Sequence, residues 1–292
     1  MIKKLENDFL SVEINEFGAE LFSIKGKKSG FEYLWQGNPE FWKGRATILF
    51  PICGRLFAGK YIYKNKEYEM PIHGIAKLFE FNSRVISNKE IEFELKSSEK
   101  TKKYYPFDFI FKVKYKLKNN LLITKFIVKN TGEDVMFFSY GGHPGFNVPF
   151  SKNEKFENYY LEFSTNEMSK LIFSETCFDT GENEKISFTK KKLLLNHNLF
   201  DNDALFFKSE SDKVKLKSTK SKNSIELCYK NMTCLGVWHK PKTDAPYICI
   251  EPWHGIPSKD GVIDDIETKS QMIKLDPNKK YTNLFTMKII ED

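Results

Sequence analysis

Alternating apolar and polar residues are the main pattern along this chain. From Phe107 to Leu117 every second residue is apolar, and the residues between them are mainly lysine. A period of two residues is typical of a strand with one buried face and one wet face. After Asn119-Asn120 the apolar run from Leu121 to Val128 returns, so the sequence predicts an antiparallel hairpin here.

The same alternation recurs in many short segments. Further strands are predicted at 10–14, 91–96, 213–217, 224–229, 234–238, 247–251 and 284–290. No segment has the period of a long amphipathic helix, and short helical turns are expected only near 38–43 and 258–264. No repeat and no Pro/Gly/Ser linker divides the chain. We therefore expect a single all-β domain over residues 1–292, built as a sandwich or barrel.

Composition narrows the classes of function. The 292 residues carry 46 Lys+Arg against 39 Asp+Glu, a net charge of +7. Only Arg45, Arg55 and Arg84 are arginines, and the lysines are interleaved with glutamates, which indicates a solvated surface rather than a nucleic-acid site. No apolar run is long enough to span a membrane, and no secretory signal is visible. The five cysteines lack C-x-x-C spacing, so we expect reduced thiols in a cytoplasmic protein.

Three basic residues lie in unusually apolar or glycine-rich surroundings. Arg55 follows an apolar strand and Gly54, where a guanidinium can fork onto a carboxylate, a phosphate or vicinal hydroxyls; a structural ion pair is the alternative. His73 precedes a glycine, and His143 is bracketed by glycines and followed by Pro144, which lets the backbone approach a ligand closely. A satisfied structural histidine is the alternative for both.

Two carboxylates complete the set. Glu251 ends the apolar strand 247–251, and partial burial there would raise its pKa towards that of a general base; a loop cap or a lysine pair is the alternative. Asp203 opens an apolar run and can accept hydrogen bonds from hydroxyls, although turn chemistry with Asp201 and Asn202 explains it equally well. No nucleotide-binding, G-x-S-x-G or H-E-x-x-H motif occurs, and no spacing is diagnostic of a metal.

In chain order these residues resemble the aldose 1-epimerase (mutarotase) family. The family's order is an arginine after a proline-glycine loop, then His-Gly, His-Pro-x-Phe-Asn, an aspartate and a late Glu-Pro. This chain has Arg55, His73-Gly74, His143-Pro144-Gly145-Phe146-Asn147, Asp203 and Glu251-Pro252. The segment around His143 is most similar to the LacX-type branch. The resemblance implies a large antiparallel β-supersandwich of the galactose mutarotase type with few short helices.

The resemblance also implies a reaction, the interconversion of the α and β anomers of a hexose through the open aldehyde. Glu251 would be the base on the C1 hydroxyl and His143 the acid on the ring oxygen. His73 and Arg55 would hold the ring oxygen and neighbouring hydroxyls, and Asp203 the remote hydroxyls. No metal and no organic cofactor is implied. The expected partner is a small-molecule sugar, and a monomer and a homodimer fit equally well.

Three alternatives stay open. A hexose-6-phosphate mutarotase needs a cationic clamp, for which Arg45, Arg55 and nearby lysines are candidates. A non-catalytic sugar-binding sandwich needs aromatic rings and Asp203, but not both Glu251 and His143. A glycoside hydrolase needs two carboxylates, and only Glu251 has a convincing setting.

Two local expectations concern the sugar contacts. The family's His-Gly-Phe-x-Arg reads His-Gly-Ile-Ala-Lys at 73–77, which changes contacts to the sugar rather than the chemistry. Trp35, Phe146 and Trp253 are candidates to stack on the sugar, and His254 to line the same cleft.

Overall fold

The computed structural model describes residues 1–292, which form strands joined by tight turns and by longer loops. The strands are β1 (Ile2–Glu6), β2 (Leu10–Asn15), β3 (Leu21–Gly26), β4 (Ala46–Leu49), β5 (Lys60–Tyr63), β6 (Lys66–Glu69), β7 (Asn82–Ser87), β8 (Glu90–Lys96), β9 (Phe109–Lys118), β10 (Leu121–Asn130), β11 (Met136–Phe138), β12 (Tyr140–Asn147), β13 (Tyr159–Phe163), β14 (Glu167–Phe173), β15 (Asp179–Ser187), β16 (Lys192–Leu194), β17 (Leu205–Lys208), β18 (Lys213–Ser218), β19 (Ser224–Cys228), β20 (Cys234–Trp238), β21 (Tyr247–His254), β22 (Ile273–Leu275) and β23 (Lys280–Ile290). The helices are α1 (Glu99–Lys102) and the 3₁₀ segments Phe57–Gly59, Ala76–Leu78, Phe156–Asn158, Thr189–Lys191 and His197–Phe200.

Two large antiparallel sheets form the frame. One has nine strands in the order β16-β13-β18-β19-β23-β10-β9-β8-β7, and the other has seven in the order β15-β14-β17-β20-β21-β12-β4. Three small sheets, β1-β2-β3, β5-β6 and β11-β22, flank them. The all-β class predicted from the period of two is confirmed.

The predicted hairpin is β9–β10. Its strands pair from Lys118↔Leu121 outwards, and Asn119 takes the left-handed conformation of a tight turn, with φ of 52°. The two segments expected to form helical turns, 38–43 and 258–264, contain turns but no helix. The glycine-rich segment Tyr140–Asn147 is a central strand, which the sequence pattern does not predict.

The large sheets pack face to face around the core. A cluster of 64 buried hydrophobic residues includes side chains from both sheets. Phe50 stacks on Phe111 of β9 with ring centroids 4.2 Å apart. Gly142 of β12 faces Phe285 of β23 so closely that a Cβ there would lie 2.9 Å from the phenyl ring. A glycine is therefore needed where the seven-stranded sheet passes this ring.

The outer face of the nine-stranded sheet carries charge pairs. Lys112 and Lys114 of β9 both lie 2.8 Å from the carboxylate of Glu92 on β8, and Lys116 lies 2.7 Å from Glu90. Opposite charges on neighbouring strands stabilise the sheet modestly and keep its surface solvated. Part of the lysine content is thus explained by this face. No helix here is both long and apolar enough to cross a bilayer.

The seven-stranded sheet sorts its side chains between two faces. On β21, Ile248 and Ile250 point into the core, whereas Cys249, Glu251 and Trp253 point to the opposite face because successive residues of a strand alternate. The functional candidates are therefore gathered on the face that turns away from the core.

Candidate active site

A pocket of about 310 Å³ opens on this face of the seven-stranded sheet. Six of the seven strands contribute side chains to this pocket. The strand residues that line it are Thr47, His143, Phe173, Phe206, Trp238, Glu251 and Trp253. The 3₁₀ segment Ala76–Leu78 adds Lys77, and the loops add Trp42, Gly54, Arg55, Ile72, His73, Cys177, Asn202, Asp203, Ala204 and Pro257. All five residues singled out from the sequence, at positions 55, 73, 143, 203 and 251, lie in this one pocket. Its size is in the range of small-molecule sites.

His143 and Glu251 are brought together by strand register. β12 pairs with β21 through Gly141↔Trp253 and Gly145↔Cys249, which leaves His143 opposite Glu251. Both side chains are buried, and Nε2 of His143 lies 3.2 Å from Oε2 of Glu251. The contact does not satisfy hydrogen-bond geometry, since Oε2 has no hydrogen-bond partner. The pair is close enough to exchange a proton with one bound molecule.

Burial shifts the pKa values of both residues so that the uncharged form of each is favoured. It raises the pKa of Glu251 well above its usual value, and the negative charge of Asp203 adds to the effect. It lowers the pKa of His143 to about 3. Both shifts follow from the cost of a charge in a desolvated site. Between the lowered pKa of His143 and the raised pKa of Glu251, the pair therefore holds one proton, on the carboxyl group of Glu251.

Aromatic rings enclose the imidazole of His143. Trp42 stacks on it with ring centroids 4.8 Å apart, and Trp238 meets it edge-on at 5.8 Å. Gly145 makes room for this arrangement, because a Cβ there would come within 3.1 Å of the Trp42 ring. The glycines beside His143 thus serve close packing around the imidazole.

His73 enters the pocket on a strained turn. It has a positive φ of 64°, and its backbone N–H donates to the carbonyl of Gly54 at 2.7 Å. Its Nδ1 accepts a hydrogen bond from the Gly54 N–H at 3.2 Å, so the proton of the neutral ring is on Nε2. Burial lowers the pKa of His73 well below its usual value. Strain of this kind is often kept where it positions a functional group.

Arg55 and Asp203 approach the pocket from the loops. Arg55 donates to the carbonyl of Thr176 at 3.0 Å and makes no ion pair, so the structural alternative for this residue is not seen. Asp203 accepts from the N–H of Ala204 at 2.9 Å and from the thiol of Cys177 at 2.9 Å. Neither charge is neutralised by a partner of opposite sign, and both remain free to meet polar groups of a ligand.

Asp203, rather than Asp201, faces the pocket. It has a positive φ of 75°, whereas Asp201 caps the 3₁₀ segment His197–Phe200 and lies outside the lining. The turn chemistry considered for this stretch is real, since the N–H of Asp203 bonds to the carbonyl of Phe200. The same turn delivers the carboxylate to the site.

Four expected contributors do not reach the pocket. Trp35 packs on Tyr247 beneath the lining, and Phe146 belongs to the core. His254 stacks on Tyr140. Arg45 has a structural role, because its guanidinium donates a hydrogen bond to the backbone carbonyl of Phe22 and lies over the phenyl ring of the same residue.

Residues outside the sequence-based set take their places. Trp42 and Trp238 supply the aromatic walls, and Cys177 supports Asp203. Lys77 lines the pocket, half-buried, with no hydrogen bond and no ion pair. Its charge lowers the pKa of both His73 and His143. Only Lys77 carried a sequence signal, as a departure from the family motif.

One set of donor atoms has the spacing to hold a metal ion. The ligand atoms of His143, Cys249 and Glu251 lie within 4.8 Å of one another. A thiol binds metals as the thiolate, however, and burial raises the pKa of Cys249 well above its usual value. The donor chemistry does not favour a metal, and we assign none.

Comparisons with known proteins find relatives along the whole chain. A sequence model of the family described as "Aldose 1-epimerase" matches residues 1–288. "Protein LacX, plasmid" and "Protein LacX, chromosomal" of Lactococcus lactis subsp. lactis are each 32% identical over 293 residues, covering 96% of this chain and 97% of each relative.

Solved structures show the same fold. A galactose mutarotase related enzyme from Lactobacillus acidophilus has a TM-score of 0.95 at 36% identity, covering 100% of this chain and 98% of that one. A galactose mutarotase-like protein from Lactobacillus casei has a TM-score of 0.94 at 28% identity, with 99% and 100% covered. A putative aldose 1-epimerase from Escherichia coli K12, at 13% identity and a TM-score of 0.76, shows likeness of fold alone, with 99% of each chain covered.

Proposed function

Because the chain belongs to the aldose 1-epimerase family, we propose that it is a mutarotase that interconverts the α and β anomers of a hexose. Ring opening needs a base at the C1 hydroxyl and an acid at the ring oxygen. These two oxygen atoms are both bonded to C1. The two catalytic groups must therefore be near neighbours. The contact of 3.2 Å between His143 and Glu251 is the observation that carries the proposal.

In the proposed mechanism, Glu251 takes the proton of the C1 hydroxyl while His143 gives a proton to the ring oxygen. Binding of the sugar against both groups moves the proton from the carboxyl of Glu251 to the imidazole of His143, so that the carboxylate can act as base and the imidazolium as acid. Rotation about C1–C2 in the open aldehyde then exposes the other face of the carbonyl, and closure runs the same transfers in reverse. No proton is gained or lost overall.

Three polar side chains of the pocket hold the sugar during this cycle. His73 presents an N–H from Nε2 and Arg55 a guanidinium, and both stabilise negative charge that develops on oxygen. Asp203 accepts hydrogen bonds from hydroxyls remote from C1. Trp42 and Trp238 supply apolar surface for the sugar ring.

Polarimetry on freshly dissolved α-glucose and α-galactose tests the proposal. The wild-type protein should accelerate the change in rotation, and Glu251→Gln and His143→Asn should each lower kcat/KM by about 10²- to 10⁴-fold, the range for removal of one acid–base group. Asp201→Asn is the matched control, because this nearby carboxylate lies outside the pocket. A wild-type rate equal to the spontaneous one would support a non-catalytic sugar-binding protein instead.

A second candidate, a hexose-6-phosphate mutarotase, is favoured by one observation. Lys77 is a half-buried cation of the pocket without a partner, and its charge reaches His73 and His143. C6 is bonded to C5, next to the ring oxygen that His143 would protonate. A phosphate on C6 would then come towards Lys77 and give it the partner that it lacks.

We also propose that residues 1–292 work as one domain, because both large sheets contribute to the same buried cluster. The five cysteines are free, which suits the reducing cytoplasm that we propose as its location.

A further inference from the structure

Two buried polar atoms without hydrogen-bond partners lie on the same face of β21. They are Oε2 of Glu251 and Nε1 of Trp253. Residues two apart on a strand point to the same side, and both side chains line the pocket. Buried polar atoms are nearly always paired, so two such atoms on one face of a strand at a candidate active site need an explanation.

The indole ring of Trp253 is fixed in place by its surroundings. It is 2% exposed, packs on Phe206 with ring centroids 4.6 Å apart and meets His73 edge-on at 5.4 Å. Gly141 leaves it room, because a Cβ there would lie 2.9 Å from the ring. The N–H therefore cannot turn to solvent to find a partner.

We propose that Trp253 is a positioning residue for the catalytic base: its indole N–H donates to the carboxylate of Glu251 once that group has given up its proton. The inference rests on the proposed function. A neutral carboxyl is a weaker hydrogen-bond acceptor than a carboxylate. When the sugar draws the proton towards His143, negative charge appears on Glu251 in a desolvated site, and a fixed donor stabilises it.

The electrostatics of the site support this pairing. The Trp253 N–H acts to lower the pKa of Glu251, against burial and the charge of Asp203. Besides Asp203, the titratable groups that face the carboxyl or line the pocket are His143, Cys53, Cys249, Tyr247, His73, Arg55, Lys77 and Cys177. Of the groups that act on Glu251, Trp253 is the one neutral donor, so its removal changes no charge.

The test is Trp253→Phe, which keeps an aromatic ring and removes the N–H. We expect the pKa of Glu251 to rise and kcat to fall about tenfold or more, with KM little changed. The pKa is read directly from the side-chain carboxyl ¹³C signal of glutamate-labelled protein, assigned as the signal missing in Glu251→Gln. The alkaline limb of the kcat/KM profile should move to higher pH with it.

Trp238→Phe is the matched control. It removes another indole N–H from the same pocket and should leave the pKa of Glu251 in place, whatever it does to the rate. If Trp253→Phe does not fold, β-(3-benzothienyl)alanine at position 253 replaces the N–H by sulfur with the ring shape kept. An unchanged Glu251 pKa in Trp253→Phe, or in the benzothienylalanine variant at position 253, overturns the inference.

The two proposals fail in different ways. A wild-type protein that does not mutarotate any hexose contradicts the proposed function, while the ¹³C titration still reports whether Trp253 acts on Glu251. A wild-type mutarotase whose Trp253→Phe variant shows equal losses in kcat and stability, with an unmoved pKa, leaves the tryptophan a packing role only.

Discussion

Nε2 of His143 and Oε2 of Glu251 lie 3.2 Å apart because adjacent antiparallel strands place the two residues opposite each other. Burial favours the neutral form of each, so the two groups hold one proton between them at pH values from the lowered pKa of His143 to the raised pKa of Glu251. Such a pair titrates as a unit with two apparent pKa values. At the lower pKa the singly protonated pair gains a second proton, and at the higher pKa it loses its one proton.

The pH dependence of the rate follows from this proton count. Because the pKa of His143 is lowered to about 3, a second proton arrives only in strong acid. Because the pKa of Glu251 is raised, the single proton leaves only well above pH 4.5. We expect kcat/KM from polarimetry, corrected for the spontaneous rate at each pH, to be flat between these limits. An acid limb near pH 6.5, the value of a solvated imidazole, would contradict the buried pair.

Stability should depend on pH through a second histidine, outside the pocket. His239 is fully buried, bonds to His197 and to the carbonyl of Lys240, and has its pKa lowered from 6.5 to about 4. Below pH 6.5 the unfolded chain therefore binds a proton here that the folded chain does not. The contribution is present above pH 6.5 and is lost as the pH falls towards 4, on the order of 3 kcal/mol in all.

Urea unfolding at pH 7 and pH 5 measures this effect. His239→Gln should reduce the loss of unfolding free energy between the two pH values, whatever it does to the absolute stability. Phe200→Leu is the control, because it disturbs packing on the same ring, 4.4 Å away, without changing a titratable group. An equal loss in wild type and His239→Gln would show that His239 does not set the acid sensitivity.

The sequence predicts those parts of the fold in which local pattern and burial coincide. The hairpin β9–β10 is an example, since its period of two marks the buried face directly. The pattern does not predict β12, because its glycines make room for Trp42, Trp253 and Phe285, which are distant in sequence. The pattern does not predict β15 either, because this exposed edge strand has a polar sequence with no buried face to mark it.

The residues of the site also differ in whether the local sequence marks them. Polar residues in apolar or glycine-rich surroundings, such as Glu251 and His143, stand out in the sequence. The positions of Cys177, Lys77 and Trp42 depend on segments that meet only after folding, and no local signal marks them as neighbours of His143 and Glu251. The resemblance to a family placed the five expected residues in order, but their contacts required coordinates.

Cys177 should control how well the sugar is held. Its thiol lies 2.9 Å from the Asp203 carboxylate, and burial raises its pKa to about 12, so it stays protonated and donates. Cys177→Ala should raise KM about tenfold with kcat little changed, as expected for loss of a hydrogen bond to a charged group. Cys177→Ser keeps a donor and should restore KM. Cys228→Ala, at a half-buried thiol of the other large sheet, is the control. Equal KM values in the alanine and serine variants would contradict the role.

Lys77 decides between the two candidate substrates. If it binds a phosphate on C6, Lys77→Met should lower kcat/KM for glucose 6-phosphate at least tenfold and leave that for glucose nearly unchanged, because a charge-assisted hydrogen bond is lost only with the phosphorylated sugar. Lys77→Arg, which keeps the charge and restores the residue of the family motif, should retain the preference. The ratio of the two kcat/KM values is the measurement, since it cancels any general damage to the site. A ratio that is the same in wild type, Lys77→Met and Lys77→Arg would exclude a phosphate contact at Lys77 and favour the free hexose as the substrate.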